Sequence, residues 1–276
     1  MHKTKKNYSV LSILIVAFLV RGICALIFPT EAGDSPIYTL LAENIFRGCG
    51  LSYSDPNSAE CILTSGGYFP GYPAFIASIW YLFAKKTFLI LMFQIACYIF
   101  ALYWLLRSVD LLTKNSRVVL AVGLFMALSP LQLGWFRFVL TEPLAISISI
   151  WFLAELFLSI AQKRLRILPL SIALAFSIYI RPDTAFMILG LVPTTLYIYD
   201  TKKAFVKILT VLILTSLPVS AWMVRNSFIG HDLLTKQVDY YPASPGYINW
   251  WKTWVVNEYE RADIFFPIWV NNNYNY

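Results

Sequence analysis

The sequence predicts an all-α, polytopic membrane protein with about seven transmembrane helices. Three observations support this prediction: the composition, the apolar runs along the chain, and the distribution of charge between those runs. Of the 276 residues, 58% are hydrophobic and only 13% are charged, and the mean hydropathy is +0.63. A soluble domain has about a quarter of its residues charged. The composition therefore excludes a soluble enzyme.

Seven apolar runs approach the length of about 20 residues that a helix needs to cross a bilayer core. They are Val10–Phe28, Phe88–Leu106, Val118–Leu133, Leu144–Ala161, Ile167–Ile180, Thr184–Tyr199 and Ile208–Val224. The fifth and sixth runs are short, and only Arg181-Pro182-Asp183 separates them. They could therefore be half-buried helices that meet at a polar elbow. The first run is long and is followed by Pro29-Thr30-Glu31, so no cleavable signal peptide is expected.

The charges between the runs predict which side each loop occupies. The amino terminus and the loops near residues 107–117, 163–166 and 202–207 hold twelve basic and two acidic residues, a net charge of +10. Residues 29–87, 134–143, 181–183 and 225–276 hold nine basic and twelve acidic residues, a net charge of −3. By the positive-inside rule the amino terminus is cytoplasmic and the carboxyl terminus lies outside. The basic excess thus indicates topology, and no nucleic-acid partner is predicted.

The segment Phe69–Ala84 tests this topology. As a helix it would be only about 24 Å long, and it is rich in the aromatic residues that favour membrane interfaces. Counting it as a span would place three basic loops outside. It is therefore predicted to be an interfacial helix within a long first outer loop, residues 29–87. The domain prediction is a seven-helix module, residues 1–224, followed by an outer carboxyl-terminal segment, residues 225–276.

The cysteines and histidines exclude some chemistry. Cys49 and Cys61 lie on the predicted outer side, twelve residues apart, and can form a disulfide if the compartment is oxidising. The chain has only two histidines, His2 and His231. A histidine-cluster metalloenzyme or a Ser-His-Asp hydrolase is therefore not expected.

Four polar groups lie at the predicted outer ends of spans. Asp34 precedes a predicted helix, Tyr38–Phe46, and can simply cap it. Glu142, in Thr141-Glu142-Pro143, can be a first-turn acid favoured by the helix dipole. Arg181 and Arg225 can anchor helix ends by snorkelling. The functional interpretation is that the two arginines flank a cavity that holds the two carboxylates, because arginine binds phosphate bidentately.

Arg21 lies about 12 Å inside the first span by helical rise. An intramembrane arginine is costly unless it faces a cavity or a partner, so it is a candidate functional residue. Glu155 is a candidate partner at a similar depth.

The order of these features resembles a known family. An intramembrane Arg21 is followed by outer Asp34 and Tyr38, then Pro70-Gly71-Tyr72-Pro73, Thr141-Glu142-Pro143, Arg181-Pro182-Asp183 and finally Trp222-x-x-Arg225-Asn226. This order is similar to that in the GT-C superfamily of glycosyltransferases, in the branch of protein O-mannosyltransferases and aminoarabinose lipid A transferases. The resemblance runs from about Val10 to Trp254.

The resemblance implies a seven-helix membrane enzyme of cell-envelope glycosylation, with juxtamembrane helices in its first outer loop. Its donor would be a polyprenyl-phosphate-linked sugar and its acceptor a lipid, a glycan or a protein. Asp34 would be the general base, and Glu142 a second catalytic acid or metal ligand. Arg181, Arg225 and Arg21 would bind the donor phosphate, and Tyr38, Tyr72 and Asn226 would line the substrate cavity.

Three departures from the family and one rival interpretation accompany this expectation. Tyr68 and Phe69 stand where many relatives have a basic residue, and a divalent metal, held by Asp34 and Glu142, is left open. Relatives usually continue with further helices, so a truncated or minimal form is expected.

The alternative is a non-catalytic or degenerate protein that binds a lipid-linked sugar, or a flippase. The short basic inner loops disfavour a flippase, and the absence of visible inverted repeats disfavours a transporter.

Overall fold

The computed structural model describes residues 2–28, 30, 31, 33–57, 61, 63 and 69–228. Within these residues the chain is helical and contains no strand, apart from one isolated bridge between Ser52 and Leu63. The α-helices are α1 (His2–Ile27), α2 (Ser35–Phe46), α3 (Gly71–Leu82), α4 (Thr87–Thr113), α5 (Ser116–Leu128), α6 (Pro130–Trp135), α7 (Thr141–Ala161), α8 (Ile167–Ile180), α9 (Leu191–Ile198) and α10 (Thr201–Phe228). A 3₁₀ helix, Pro182–Gly190, joins α8 to α9. The prediction of an all-α membrane protein is confirmed.

Among the described residues, five segments are long and apolar enough to cross a membrane. They are Val10–Ile27, Thr87–Thr113, Ser116–Trp135, Thr141–Ala161 and Thr201–Arg225. The predicted fifth and sixth spans correspond to Ile167–Ile180 and Pro182–Ile198, which are apolar but shorter. They meet at Arg181, whose extended backbone (φ −150°) interrupts the helical path. The predicted polar elbow is therefore present.

Prolines and caps account for several helix boundaries. The predicted third span is divided at Pro130, which lacks the N–H that a continuing helix would need. α5 consequently ends at Leu128 and α6 begins at Pro130. At the start of α5, the side chain of Asn115 accepts a hydrogen bond from the N–H of Arg117 at 2.9 Å. α4 ends at Thr113, and the next residue, Lys114, has a left-handed backbone (φ 52°), which is a frequent way for a helix to stop.

The segment predicted to be interfacial, Phe69–Ala84, contains the helix α3. α3 packs on α2 and against the carboxyl end of α8. At Gly71 there is no room for a side chain, because a Cβ atom would lie 2.6 Å from the carbonyl oxygen of Tyr179. The Pro-Gly-Tyr-Pro motif thus has a packing role, since its glycine brings α3 close to the end of α8.

The core lies between α4 and α7, the most closely associated pair of helices. α8 follows α7 after a short loop and packs back along it, so the two form a hairpin. α1 packs on α4 and α5. The side chains of Leu91, Ile95, Leu102 and Leu105 on α4 are at most 1% exposed. This hairpin and α4 hold several of the polar residues described below.

The chain divides into two compact units. The first comprises Met1–Leu63 with Phe69–Trp222, and the second comprises Thr64–Tyr68 with Met223–Tyr276. Only residues 223–228 of the second unit, the end of α10, are described. Most of the predicted outer carboxyl-terminal segment, residues 225–276, therefore lies outside the described residues.

Candidate functional site

Polar residues from three helix ends meet in the first unit. α2 begins beside Asp34, α7 begins with Thr141 and Glu142, and α8 ends next to Arg181. These residues come from three distant parts of the sequence. Arg181 and its neighbours are called the elbow cluster below, and the cluster comprises Asp34, Tyr38, Thr141, Glu142, Arg181 and Asp183.

Arg181 is the centre of the elbow cluster. Its Nη1 donates to Oε1 of Glu142 at 2.5 Å and to the hydroxyl of Thr141 at 3.2 Å. Its Nε and Nη2 both donate to the carboxylate of Asp183, at 3.1 Å each. Burial alone would lower the pKa of Arg181, but the hydrogen bond with Asp183 and the charges of Glu142 and Asp183 outweigh burial and raise it. The guanidinium is therefore permanently charged and already paired with two carboxylates.

Two buried tyrosines, Tyr38 and Tyr72, lie beside Glu142. Tyr38 shares a side-chain hydrogen bond with Thr141, and its ring meets that of Tyr72 edge to face, with 5.0 Å between the ring centroids. The hydroxyl of Tyr72 accepts a hydrogen bond from Nε2 of Gln94 at 3.0 Å. Burial raises the pKa of both tyrosines, and the charge of Asp34 adds to the effect at Tyr38. Both side chains therefore stay neutral, and their hydroxyl groups are engaged with Thr141 and Gln94.

Asp34 occupies the N-cap position of α2, but its carboxylate does not cap the helix. Only its backbone carbonyl accepts, from the N–H groups of Ile37 and Tyr38 at 3.0 Å each. Its ψ of 3° lies outside the β region that a side-chain cap requires. The capping role that the sequence favours is thus wrong. The carboxylate is exposed, and its charge acts on Tyr38 and on Tyr53.

The loop after α2 brings Tyr53 to this end of the unit. A disulfide joins Cys49 and Cys61, whose Cα atoms are 5.2 Å apart. Nδ2 of Asn44 donates to the carbonyls of Ser52 at 2.8 Å and Ser54 at 2.9 Å, on either side of Tyr53. Burial raises the pKa of Tyr53, and Asp34 contributes to this shift. Sequence reasoning missed Tyr53, because only the folded loop brings it near Asp34.

Gln94 was also missed, although the sequence carried a signal for it. It is a polar residue within an apolar run, and such residues within spans usually have partners. Its side chain is fully buried on α4. Besides binding Tyr72, its Nε2 donates to the carbonyl of Leu140 at 3.1 Å. Gln94 therefore fixes the backbone immediately before Thr141 and Glu142.

Arg21 has different partners from those that the sequence suggested. Its side chain is fully buried, and it donates to the carbonyls of Met126 and Ala127 at 3.0 Å each, at the end of α5. Its guanidinium carbon lies 3.6 Å from the ring centroid of Tyr98. The last carbonyls of a helix have no partner within the helix. Arg21 therefore supplies the missing donors for α5 and lies over an aromatic face.

The suggested pairing of Arg21 with Glu155 is wrong. Glu155 forms an ion pair with Arg166, with 2.6 Å between Oε2 and Nε. The two residues also lie at different distances from the ends of their helices. Arg21 is six residues before the end of α1, or about 9 Å, whereas Glu155 is fourteen residues after the start of α7, or about 21 Å.

Arg225 and Asn226 lie near the end of α10, in the second unit. Arg225 is half-buried, and the side chain of Asn226 lies outside the described residues. Their predicted roles in phosphate binding and in lining the cavity stay predictions.

Within the described residues, no group of three or more His, Cys, Asp and Glu side chains is placed to hold a metal ion. His231 lies outside these residues. Glu142 and Asp183, the two carboxylates nearest each other, are both bound to Arg181. The metal site at Asp34 and Glu142 stays a prediction.

No protein-family model, curated protein or solved structure matches this chain. The function is therefore argued from the site. The elbow cluster offers one exposed carboxylate, two carboxylates paired with an arginine, and neutral phenols. Such a set can accept a proton from a hydroxyl or amine and can orient a polar substrate.

Proposed function

We propose that this chain is a membrane glycosyltransferase of the GT-C type, which moves a sugar from a polyprenyl-phosphate-linked donor to an acceptor on the outer face of the membrane. One observation supports this most strongly. Asp34 lies more than a hundred residues before Glu142, and Glu142 lies 39 residues before Arg181, and yet all three belong to helix ends that meet in one polar cluster next to apolar helices.

The membrane arrangement of the proposal has seven transmembrane segments. Five are the long apolar helices, and the other two are Ile167–Ile180 and Pro182–Ile198, which together form a bent pair. The amino terminus is cytoplasmic, and the elbow cluster is on the outer side. The disulfide between Cys49 and Cys61 supports this sidedness, because cytosolic thiols are kept reduced.

The proposed reaction is a single displacement with inversion. The oxygen or nitrogen of the acceptor forms a bond to the anomeric carbon, while the bond from that carbon to the phosphate oxygen breaks. The electron pair of the broken bond leaves with the polyprenyl phosphate. The acceptor proton passes to the carboxylate of Asp34. Help of this kind from a general base contributes about 10²–10⁴-fold to a rate.

The other cluster residues support this step. Arg181 holds Glu142 and Asp183 in fixed positions, so that their remaining oxygens can accept hydrogen bonds from sugar or acceptor hydroxyls. Tyr38 and Tyr72 are only 9% and 0% exposed, so they support the start of α7 through Thr141 and Gln94. Arg225 and Asn226 keep their proposed roles on the sequence alone, and Arg21 has the structural role described above.

The test compares Asp34→Asn with Glu31→Gln, because Glu31 is an exposed acid only three residues away. Membranes that contain each variant are supplied with radiolabelled polyprenyl-phosphate mannose or polyprenyl-phosphate aminoarabinose, and label transferred to the acceptor fraction is measured. Asp34→Asn is expected to lower transfer at least a hundredfold. Glu31→Gln is expected to change it less than twofold.

Three outcomes would contradict parts of the proposal. Transfer by Asp34→Asn at the wild-type rate would exclude Asp34 as the base. Binding of both donors without transfer in the wild-type protein would favour the non-catalytic lipid-linked-sugar-binding alternative. Neither binding nor transfer would remove the proposed donor class.

A further inference from the structure

The loop that follows α2 is closed by a disulfide. Cys49 and Cys61 are twelve residues apart in the sequence, and their Cα atoms lie 5.2 Å apart. Next to this link, Ser52 forms an isolated antiparallel bridge with Leu63. The disulfide therefore holds the two arms of the loop together. Cys49 is only 7% exposed, whereas Cys61 is exposed, so a reductant can reach the bond from the side of Cys61.

Tyr53 is the residue that this closed loop brings to the elbow cluster. Asn44 is fully buried on α2, and its Nδ2 donates to the carbonyls of Ser52 at 2.8 Å and Ser54 at 2.9 Å, on either side of Tyr53. The Tyr53 side chain is half-buried. Burial raises its pKa, and the charge of Asp34 adds to the shift. Tyr53 therefore belongs to the surroundings of the carboxylate that is proposed to be the general base.

The disulfide is the strongest restraint on this loop. Gly48 and Gly50 flank Cys49, both with a left-handed backbone (φ 84° and 65°), and glycine gives an open loop the widest choice of conformations. Ordering the backbone costs free energy at every residue, whereas each hydrogen bond from α2 returns only a modest net amount. Arg47 adds an exposed hydrogen bond to the carbonyl of Asp55 at 3.3 Å. A covalent link that removes conformations from the open loop has the larger effect.

We propose that the Cys49–Cys61 disulfide is a redox-sensitive latch that holds Tyr53 near Asp34. A small dithiol supplies the two electrons that open it. One thiolate of the dithiol attacks Sγ of Cys61, and the S–S bond breaks with its electron pair going to Cys49. The second thiolate then displaces Cys61 from the mixed disulfide. Both cysteines end as thiols with the two protons that the dithiol loses, and the dithiol ends as a disulfide.

The effect of the latch on sugar transfer rests on the proposed function, but the latch itself does not. Its test therefore follows the position of Tyr53 and not turnover. Oxidised and reduced forms of the same full chain are compared, and the charge of Asp34 serves as the local probe.

The experiment uses fluorine NMR of the full chain, labelled with fluorotyrosine and held in nanodiscs. The resonance of Tyr53 is identified by its absence from Tyr53→Phe. In the oxidised chain Asp34→Asn is expected to shift this resonance, because the removed charge acts on Tyr53. After reduction with dithiothreitol the same substitution is expected to shift it roughly threefold less or not at all, because the open loop samples many positions.

Three variants control this measurement. Cys49→Ser/Cys61→Ser should behave as the reduced chain without any reductant. Cys24→Ser/Cys97→Ser is the matched control, because these two cysteines are free and the disulfide stays intact. It should respond to reduction as the wild type does. Asn44→Ala keeps the disulfide and should retain most of the response to Asp34→Asn.

The outcomes separate the latch from the proposed function. A shift confined to the oxidised chain would support the latch even if the wild-type protein transferred no sugar. Equal shifts in the oxidised and reduced chains, or no shift in either, would overturn it and leave the transferase proposal intact. A change in the resonance of the buried Tyr98 on reduction would also overturn it, because reduction would then disturb the helix bundle and not the loop alone. Loss of the response in Asn44→Ala, with the response kept in Cys49→Ser/Cys61→Ser, would assign the restraint to Asn44 instead.

Discussion

Two ion pairs join α7 to α8, one at each end of the hairpin, and they differ in burial. At one end Glu155 pairs with Arg166, and the side chains are 2% and 29% exposed. At the other end Glu142 pairs with Arg181, and the side chains are 25% and 34% exposed. The chemical groups are the same, so any difference in role must come from the surroundings. We call them the buried pair and the elbow pair.

In the buried pair, one carboxylate oxygen of Glu155 has two indole donors, and the other lies beside the charge of Arg166 without a hydrogen-bond donor among the described residues. Oε1 of Glu155 accepts from the indole N–H of Trp104 at 2.8 Å and from that of Trp151 at 3.1 Å, while Oε2 faces Arg166. The elbow pair is different, because one arginine faces two carboxylates and Asp34 adds a third nearby. The comparison teaches that balanced charge marks the structural end of the hairpin. Surplus carboxylate and greater exposure distinguish the elbow end, where the proposed chemistry is located.

The largest expected effect comes from breaking the buried pair. Glu155→Ala leaves Arg166 without its counter-ion and two indole N–H groups without their acceptor. Removing one partner of a buried ion pair costs about 3–5 kcal/mol. The free energy of unfolding, measured by SDS titration of the detergent-solubilised protein, should fall by this amount.

Glu142→Ala is the matched control for that change. Arg181 would keep Asp183, and a partly exposed pair contributes about 0.2–1 kcal/mol. Equal losses of stability in the two variants would refute the division between a structural and a functional end.

A smaller effect is expected from Trp104→Phe. The ring area is largely kept, but Glu155 loses one charge-assisted hydrogen bond, which contributes about 1.5–3 kcal/mol. Trp80→Phe is the control, because within the described residues the buried indole N–H of Trp80 has no acceptor. If both variants lose the same stability in the SDS titration, the indole contacts do not stabilise the buried pair.

The smallest expected effect is a decrease in the free energy of unfolding at alkaline pH, which is caused by the buried tyrosines near the elbow pair. Tyr38 and Tyr72 have raised pKa values in the folded chain because they are buried. Below about pH 10 tyrosine is protonated in both the folded and the unfolded chain, so these residues cause no loss there. Above that pH only the unfolded chain ionises them. Stability should then fall by about 1.4 kcal/mol per pH unit for each tyrosine.

Tyr38→Phe should reduce this alkaline loss, whereas Tyr81→Phe should leave it unchanged because Tyr81 is 80% exposed. The measurement is the SDS titration repeated between pH 9 and pH 11. A slope that Tyr38→Phe does not alter would contradict the link between burial of this tyrosine and alkaline sensitivity.

The sequence predicted the positions of the helices better than it predicted which side chains contact each other. Hydropathy located the apolar runs and the elbow at Arg181, because both depend on residues that are neighbours in the chain. It also placed Asp34, Glu142 and Arg181 at helix ends on one side. The contact between Glu142 and Arg181 follows from the packing of α7 on α8.

Partners were harder to predict, because they depend on which helices are adjacent. Arg21 was recognised as an unusual residue, but its acceptors are backbone carbonyls that exist only because α5 stops before Pro130. Asp34 was at the predicted N-cap position, but its side chain makes no capping hydrogen bond. Tyr53 reached the site through a disulfide and two hydrogen bonds from Asn44, which no local pattern indicates.

The contacts of Arg21 have a consequence for biogenesis. The residues that satisfy its guanidinium, Tyr98, Met126 and Ala127, are synthesised long after α1 leaves the ribosome. During that interval α1 has only the carbonyl of Ala17 for its arginine. The apolar residues of α1, with a mean hydropathy of 2.7 over Val10–Ile27, can offset a cost of about 2.5–3.5 kcal/mol for an arginine in the bilayer. We therefore expect α1 to insert before the partners of its arginine are made, so that a chain truncated before residue 126 keeps α1 in the membrane without the carbonyls of Met126 and Ala127.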